Sequence, residues 1–226
     1  MKEKGRIGQK RLDGHFYEEF LPELSGTRGI RVYREMEQND DTIGAIMFAI
    51  KMLIRQVKWH VEPGGDSAED REAAEFVETC MDDMQSTWTD TISEILSFLP
   101  YGWSFHEIVY KRRMGKKADR KVSSKYSDYL IGWQKLPPRA QDTLYKWEYD
   151  DKDNLLGMTQ QPPPGYELLT IPISKAMLFR TESLKDNPEG RSILRNAYRD
   201  WYFKRRIQEI EAIGVERDLA GLPVIH

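Results

Sequence analysis

Residues 190–219 read GRSILRNAYRDWYFKRRIQEIEAIGVERDL, and this stretch decides the fold. Asn187, Pro188 and Gly190 mark a turn, Ser192 can cap, no proline follows before Pro223, and good helix formers fill the interior. The residues spell one long helix. At about 1.5 Å per residue, roughly 28 residues make a rod of about 42 Å, longer than a chain of this size needs to cover its core. Steps of about 100° per residue put Ile193, Leu194, Ala197, Tyr198 and Trp201 on one side, with Phe203, Ile207, Ile210 and Gly214 nearly opposite. The two halves are therefore expected to bury against different neighbours. Arg195, Arg199, Arg206 and Arg217 share a narrow sector. This basic stripe has two readings: a solvated face with ion pairs inside the chain, or a helix that leaves its own domain and meets a neighbour's carboxylates or nucleic acid.

Outward from that helix, the chain sorts into an α+β domain with a mostly antiparallel sheet packed with several helices. Residues 1–29 read as an N-terminal arm that orders on a partner or along the domain edge. Residues 30–186 form the domain, 187–220 the long helix, and 221–226 an apolar strand-like run that looks cut off. Within the domain, Asn39, Asp40 or Asp41 can cap a core helix running to Gln56, with Ile43, Ile46, Met47, Ile50, Leu53 and Ile54 at helical spacing. VKWHVEP, residues 57–63, alternates like a half-buried strand. Ser67 with Asp70 opens a helix to about Met84. A further helix is expected from Thr87 to Leu99, stopped by Pro100. WSFHEIVYKRR then reads as strand, residues 114–127 as a polar, basic loop, and residues 129–180 as β-structure with a hairpin signal at DDKDN.

The 226 residues suffice for one sizeable domain or two small ones. No apolar run is long enough to cross a membrane, and MKEKGRIGQKRLDG lacks the apolar segment of a secretion leader, so no membrane partner is expected. The lone Cys80 excludes an internal disulfide framework and fits a buried helix position. A net charge of −3 is not that of a protein that grips nucleic acid over its whole surface. His106-Glu107 begins like a zinc-protease motif, but Tyr110 stands where the second histidine must be, so the ligand pair cannot form. Phosphate-loop, dinucleotide and hydrolase-elbow motifs are missing too. Glu107 reads as the acceptor of a structural ion pair in preference to a catalytic acid. No catalytic residue, metal or cofactor is assigned.

Three segments carry a resemblance: residues 35–63 (EMEQNDDTIGAIMFAIKMLIRQVKWHVEP), 97–111 (SFLPYGWSFHEIVYK) and 187–225 (NPEGRSILRNAYRDWYFKRRIQEIEAIGVERDLAGLPVI). In wording and order they resemble the portal, or head-to-tail connector, proteins of tailed bacteriophages. The resemblance implies a wing region followed by a first stem helix, residues 191–218. It implies a homo-oligomeric ring of about twelve subunits at one capsid vertex. Double-stranded DNA would pass through this ring without sequence specificity during packaging and ejection. It further implies contacts with the major capsid protein, the terminase that is the separate packaging ATPase, and neck or tail adaptors, in a virion assembled in the host cytoplasm. Portals are usually about twice this length, so an incomplete protomer is expected, monomeric or weakly associated until the remaining segments are supplied. On the helix, Phe203, Ile207 and Ile210 become the expected oligomer interface, and Arg195, Arg199, Arg206 and Arg217 the channel or intersubunit stripe. The alternatives are a nucleic-acid-processing enzyme subunit that holds phosphate with Lys204, Arg205 and Arg206, and an interaction scaffold without a DNA role.

The failed zinc motif generates a first prediction. Metal analysis should find no stoichiometric zinc, and Glu107→Gln should remove no hydrolytic activity; the opposite result in either assay would restore the enzyme reading.

Overall fold

The computed structural model describes residue 5 and residues 7–219. In chain order the elements are β1 (Arg11–Leu12), β2 (His15–Phe16), α1 (Gly26–Asn39), α2 (Asp41–Arg55), α3 (Ala68–Asp82), α4 (Trp88–Ile95) and α5 (Phe98–Tyr101). They continue as β3 (Trp103–Glu107), β4 (Val109–Arg112), β5 (Ile131–Lys135), β6 (Pro138–Arg139), β7 (Leu144–Tyr149), β8 (Leu155–Gln160), β9 (Leu169–Pro172), β10 (Ala176–Arg180) and α6 (Tyr198–Leu219). The fold is α+β and every strand pair is antiparallel. The strands divide into small sheets, β1-β2, β10-β3-β6, β4-β5 and β7-β8-β9. The segment 221–226 lies outside the described residues.

Short polar signals set the helix starts. The Asp40 carboxylate accepts from the amides of Thr42 and Ile43 at α2, Ser67 Oγ from Asp70 N at α3, and Thr87 Oγ1 from Asp90 N at α4. At the β7–β8 hairpin, Asp150 Oδ1 accepts from Lys152 N and Asn154 N, each at 2.8 Å, which closes the DDKDN turn. Three apolar clusters follow. Leu24, Tyr33, Met36, Met47, Leu194 and Trp201 join α1, α2 and the start of α6. Trp103, Phe105, Trp147, Met158 and Ile171 fill the sheet side, and Ile92, Ile95 and Leu96 lie under α4.

Several expectations are corrected. The long helix begins at Tyr198, not near residue 191; Arg195–Ala197 is a single 3-10 turn. Ser192 Oγ accepts from Leu194 N and the Ser192 carbonyl accepts from Arg195 N, so this side chain holds a tight turn before the helix can start. Residues 57–63 form no strand: Val57 sits in a bend, the rest is irregular, Val57 and Trp59 are exposed, and no described strand pairs with them. The helix expected from Thr87 to Leu99 breaks after Ile95, and Pro100 sits inside α5; Gly102, at φ +90°, is what ends it. The apolar helix α2 is no core helix, for Met47 alone is buried while Ile46, Phe48 and Leu53 face outward. Part of the stretch read as an arm is tied to the body. Trp147 N donates to Gly14 O, Arg11 lies over the Tyr149 ring, and Gly26 already opens α1.

Sequence reading also missed a polar anchor on the other side. Lys111 and Asp83 are both buried and pair at 3.0 Å. Asp83 also accepts from Ser124 Oγ at 2.6 Å and Lys125 N at 2.7 Å. Burial would raise its carboxyl, but the Lys125 amide, the Ser124 hydroxyl and the Lys111 ammonium together hold it below its usual value. A depressed carboxyl stabilises the fold above the ordinary carboxylate range, and that contribution is lost as pH falls through it. Asp83→Ala, which strands the Lys111 charge, should cost roughly 3–5 kcal/mol at neutral pH in denaturant unfolding and much less in acid. An equal cost at both pH values would refute the ionic account.

Candidate assembly surface and the junction that positions it

Two of the quoted segments meet at one place, PYGW at the end of α5 and NPEGR before α6. Gly102 and Gly190 both have positive φ, +90° and +58°. Their backbones press together so closely that a Cβ on Gly190 would lie 2.2 Å from Gly102 O, and one on Gly102 would lie 2.6 Å from Glu189 O. Only glycine fits either position. Thr181, just past β10, stitches them. Its amide donates to Gly102 O at 3.0 Å, its hydroxyl reaches Arg191 O at 2.5 Å, and Arg191 N donates back to that hydroxyl at 3.1 Å. Ile193 N then donates to Leu99 O at 3.1 Å. The entry to α6 is thereby fixed against the body before the helix begins.

Glu189 lies at the centre of this junction. Trp147 Nε1 donates to its carboxylate at 3.2 Å, and a cavity of about 380 Å³, bordered also by Phe16, Tyr33, Tyr101 and Trp103, opens beside it. Burial pushes its carboxyl up to about 7, and the single Trp147 hydrogen bond pulls the other way without prevailing. The neighbouring carboxylates have cations of their own: Arg195 binds Glu19 with two hydrogen bonds of 2.6 Å, and Lys185 pairs with Glu18 at 3.2 Å.

Past the junction, Leu194 and Trp201 are buried among Tyr33, Met36 and Met47, with Ala197 and Tyr198 packed beside them. Lys204 then reaches Asp40 and Asp41, both at 3.0 Å, and Arg205 reaches Glu35 at 2.7 Å, which ties the helix to the α1–α2 corner. From there it is bare. Every residue from 202 to 218 is exposed, including Phe203 at 52%, Ile207 at 55% and Ile210 at 68%. The portion after Arg206 is a rod of about 20 Å. The arginines of the stripe have unlike surroundings. Arg195 sits in the 3-10 turn, paired with Glu19 of its own chain; Arg199 stands 5.9 Å from the Phe203 ring; Arg206 pairs with Glu209; Arg217 is exposed. Elsewhere, Glu107 is ion-paired with Arg139, while His106 is buried with Nδ1 2.9 Å from Leu136 O. Glu189 was passed over in the sequence because it lies inside a turn motif. Its only signal was a carboxylate between proline and glycine.

A body of small antiparallel sheets and helices that locks and launches one bare helix is the build of an assembly subunit. The sequence matches the family described as portal protein of Mu bacteriophage over residues 30–226, and the chain belongs to this family. The family is structural, not catalytic, and its membership makes the chain a component of the phage capsid.

The raised Glu189 carboxyl generates a prediction with a definite sign. Its neutral form suits the fold, so stability is full below the ordinary carboxylate value and falls as pH rises through about 7. Glu189→Gln should therefore gain roughly 1–3 kcal/mol over the parent near pH 8.5 and almost nothing near pH 4.5. Thermal unfolding at the two pH values tests this, and a variant less stable at the higher pH would refute it.

Proposed function

We propose that the chain supplies the wing and first stem helix of a portal subunit. About twelve copies would close into a ring with cyclic symmetry. The ring would occupy one capsid vertex, pass double-stranded DNA during packaging and ejection, and offer docking surfaces to the major capsid protein, the terminase and neck or tail adaptors. Assembly would take place in the host cytoplasm. The observation that carries this reading is the apolar strip of Phe203, Ile207 and Ile210 on a helix whose base is locked to the body and whose remainder is bare. Such a strip is an interaction surface by its chemistry. In this reading it packs against the next subunit, and Arg199, Arg206 and Arg217 lie beside it, either meeting a neighbour's carboxylates or facing the channel. A conduit for duplex DNA must not hold it along its length, and an acidic net charge suits that requirement.

Two substitutions on one helix separate its two duties. Trp201→Ala should destabilise the isolated chain by roughly 3–5 kcal/mol, because it empties a buried site. Ile207→Asp should leave thermal unfolding of the chain nearly unchanged yet abolish rings of the complete protomer in electron micrographs, since it forces an unpaired carboxylate into a dry contact. Rings that form normally with Ile207→Asp would remove the strip from the interface.

A further inference from the structure

The strongest concentration of charge in the molecule is not on the long helix. Residues 111–125 read KRRMGKKADRKVSSK, eight cations against Asp119 in a chain whose net charge is −3. The structure divides those cations into two groups. Lys111, Arg113 and Lys125 are used internally, on Asp83, Asp128 and Asp82. The other five, Arg112, Lys116, Lys117, Arg120 and Lys121, are exposed, and no salt bridge reaches them among the described residues.

The first group makes the loop a fixed platform for the second. At its base Arg113 N donates to Leu130 O and Tyr129 N to Arg113 O, both at 2.9 Å, so the loop ends are held together as a continuation of the β4–β5 pair. The buried Arg113 guanidinium stacks 4.0 Å from the Tyr126 ring centroid. Inside, Gly115 N donates to Tyr126 O and Ser124 N to Gly115 O, while Lys117 N donates to Ser123 Oγ. Asp119 O accepts from Val122 N and Ser123 N, a turn that carries Arg120-Lys121 at its tip and follows Lys116-Lys117 on the incoming limb. Among the described residues no carboxylate lies within ion-pair distance of these five exposed cations, so their charge is free to meet an external polyanion.

We propose that this loop is a sequence-independent contact for the phosphate backbone of duplex DNA, placed on the wing and separate from the stem helix. It takes from the portal reading only that DNA is the polyanion at hand. Duplex fits the loop better than an acidic protein surface does. Residues 112–121 hold long flexible cations spaced by Gly115 and Ala118 with no aromatic residue, whereas protein interfaces are centred on buried aromatic anchors. Outside residues 111–125 acidic residues outnumber basic ones, which favours contact at this loop over the rest of the surface.

The test is fluorescence anisotropy of the full chain with labelled duplexes of unrelated sequence, titrated between about 50 and 200 mM salt. The parent should bind both duplexes alike. Replacing Lys116, Lys117, Arg120 and Lys121 by Gln should weaken binding at least about 50-fold near 0.1 M salt, since each lost phosphate contact costs roughly 8-fold there, and should flatten the salt slope by about 0.9 per contact. Its melting temperature should stay within a degree or two of the parent's, and Lys116→Arg/Lys117→Arg/Lys121→Arg should keep both affinity and slope. Lys58→Gln/Lys152→Gln, which removes exposed cations elsewhere, should bind as the parent does. Three outcomes would overturn the proposal: no duplex binding by the parent, equal binding by the neutralised loop, or polyglutamate displacing duplex at equal charge concentration, which would make the partner an acidic protein. Ring formation is scored separately. A complete protomer that makes no rings but loses duplex affinity on neutralisation would refute the ring and leave the loop contact standing.

Discussion

The constraint on which the rest of this structure depends is the contact of two glycine backbones. Gly102 ends α5 and launches β3; Gly190 ends the turn before α6; neither has room for a single further carbon. Because β3 is the central strand of the β10-β3-β6 sheet and carries Trp103 and Phe105 into the sheet-side core, whatever fixes Gly102 fixes that core. Because the Ser192 turn, the Arg195–Ala197 turn and then α6 follow directly on Gly190, whatever fixes Gly190 fixes the direction of α6. Thr181 closes the arrangement from the end of β10, so sheet, helix layer and α6 share one set of hydrogen bonds, made by its amide and its hydroxyl. Such a base fixes the angle of the rod. A one-residue slip at its root would rotate its apolar strip by about 100°.

That junction explains which parts of the fold were legible. Elements that carry their own local signal were readable: the cap at Ser67, a cap among Asn39, Asp40 and Asp41 that the fold gives to Asp40, the DDKDN hairpin, and the change of apolar side along the last helix at Trp201. What the sequence could not show was which apolar segments find partners. VKWHVEP alternates as a strand does, yet no described strand lies beside it, and alternation records a capacity for burial without recording a neighbour. The same holds for α2, whose wide apolar face suggests the interior although Met47 alone is buried, with Ile43 and Ile54 packed at its margins. The start of α6 was misplaced for another reason. Ser192 was read as a capping residue, but it caps no helix: its hydroxyl and carbonyl stabilise a tight turn from Ser192 to Arg195, which ends before α6 begins at Tyr198.

The polar half of the candidate site was not legible, and the apolar half only as a pattern. Periodicity puts Phe203, Ile207 and Ile210 on one side, but the fold exposes every residue from 202 to 218, so exposure does not single them out. Arg195, Glu19, Glu189, Asp83 and Lys111 could not be found from periodicity, because each depends on a partner far away in the chain, as Arg195 does on Glu19. A helical wheel groups Arg195 with Arg199 and Arg206; the fold instead uses its charge to hold the chain around Glu19 to the root of the helix. Buried ionic groups of this kind leave almost no trace in composition, since a paired lysine and a free lysine are the same letter.

The distribution of positive charge follows a physical requirement. In the proposed function the subunit would face two opposite demands, weak adhesion along the DNA path and tolerance of phosphate at its outer surface. Uniform charge cannot meet both, because counterion release makes every added phosphate contact a further brake. The chain keeps its cations apart by use. On the α6 side, Lys204, Arg205 and Arg206 are each held by Asp40, Asp41, Glu35 or Glu209. On the loop between β4 and β5 the internal needs are met by Lys111, Arg113 and Lys125, and five cations are left over. This loop is anchored at several points, by Lys111 on Asp83, Arg113 on Asp128, Ser124 on Asp83 and Lys125 on Asp82. Anchoring and surplus charge are each unremarkable alone; their coincidence at one loop is what a surface for a polyanion requires.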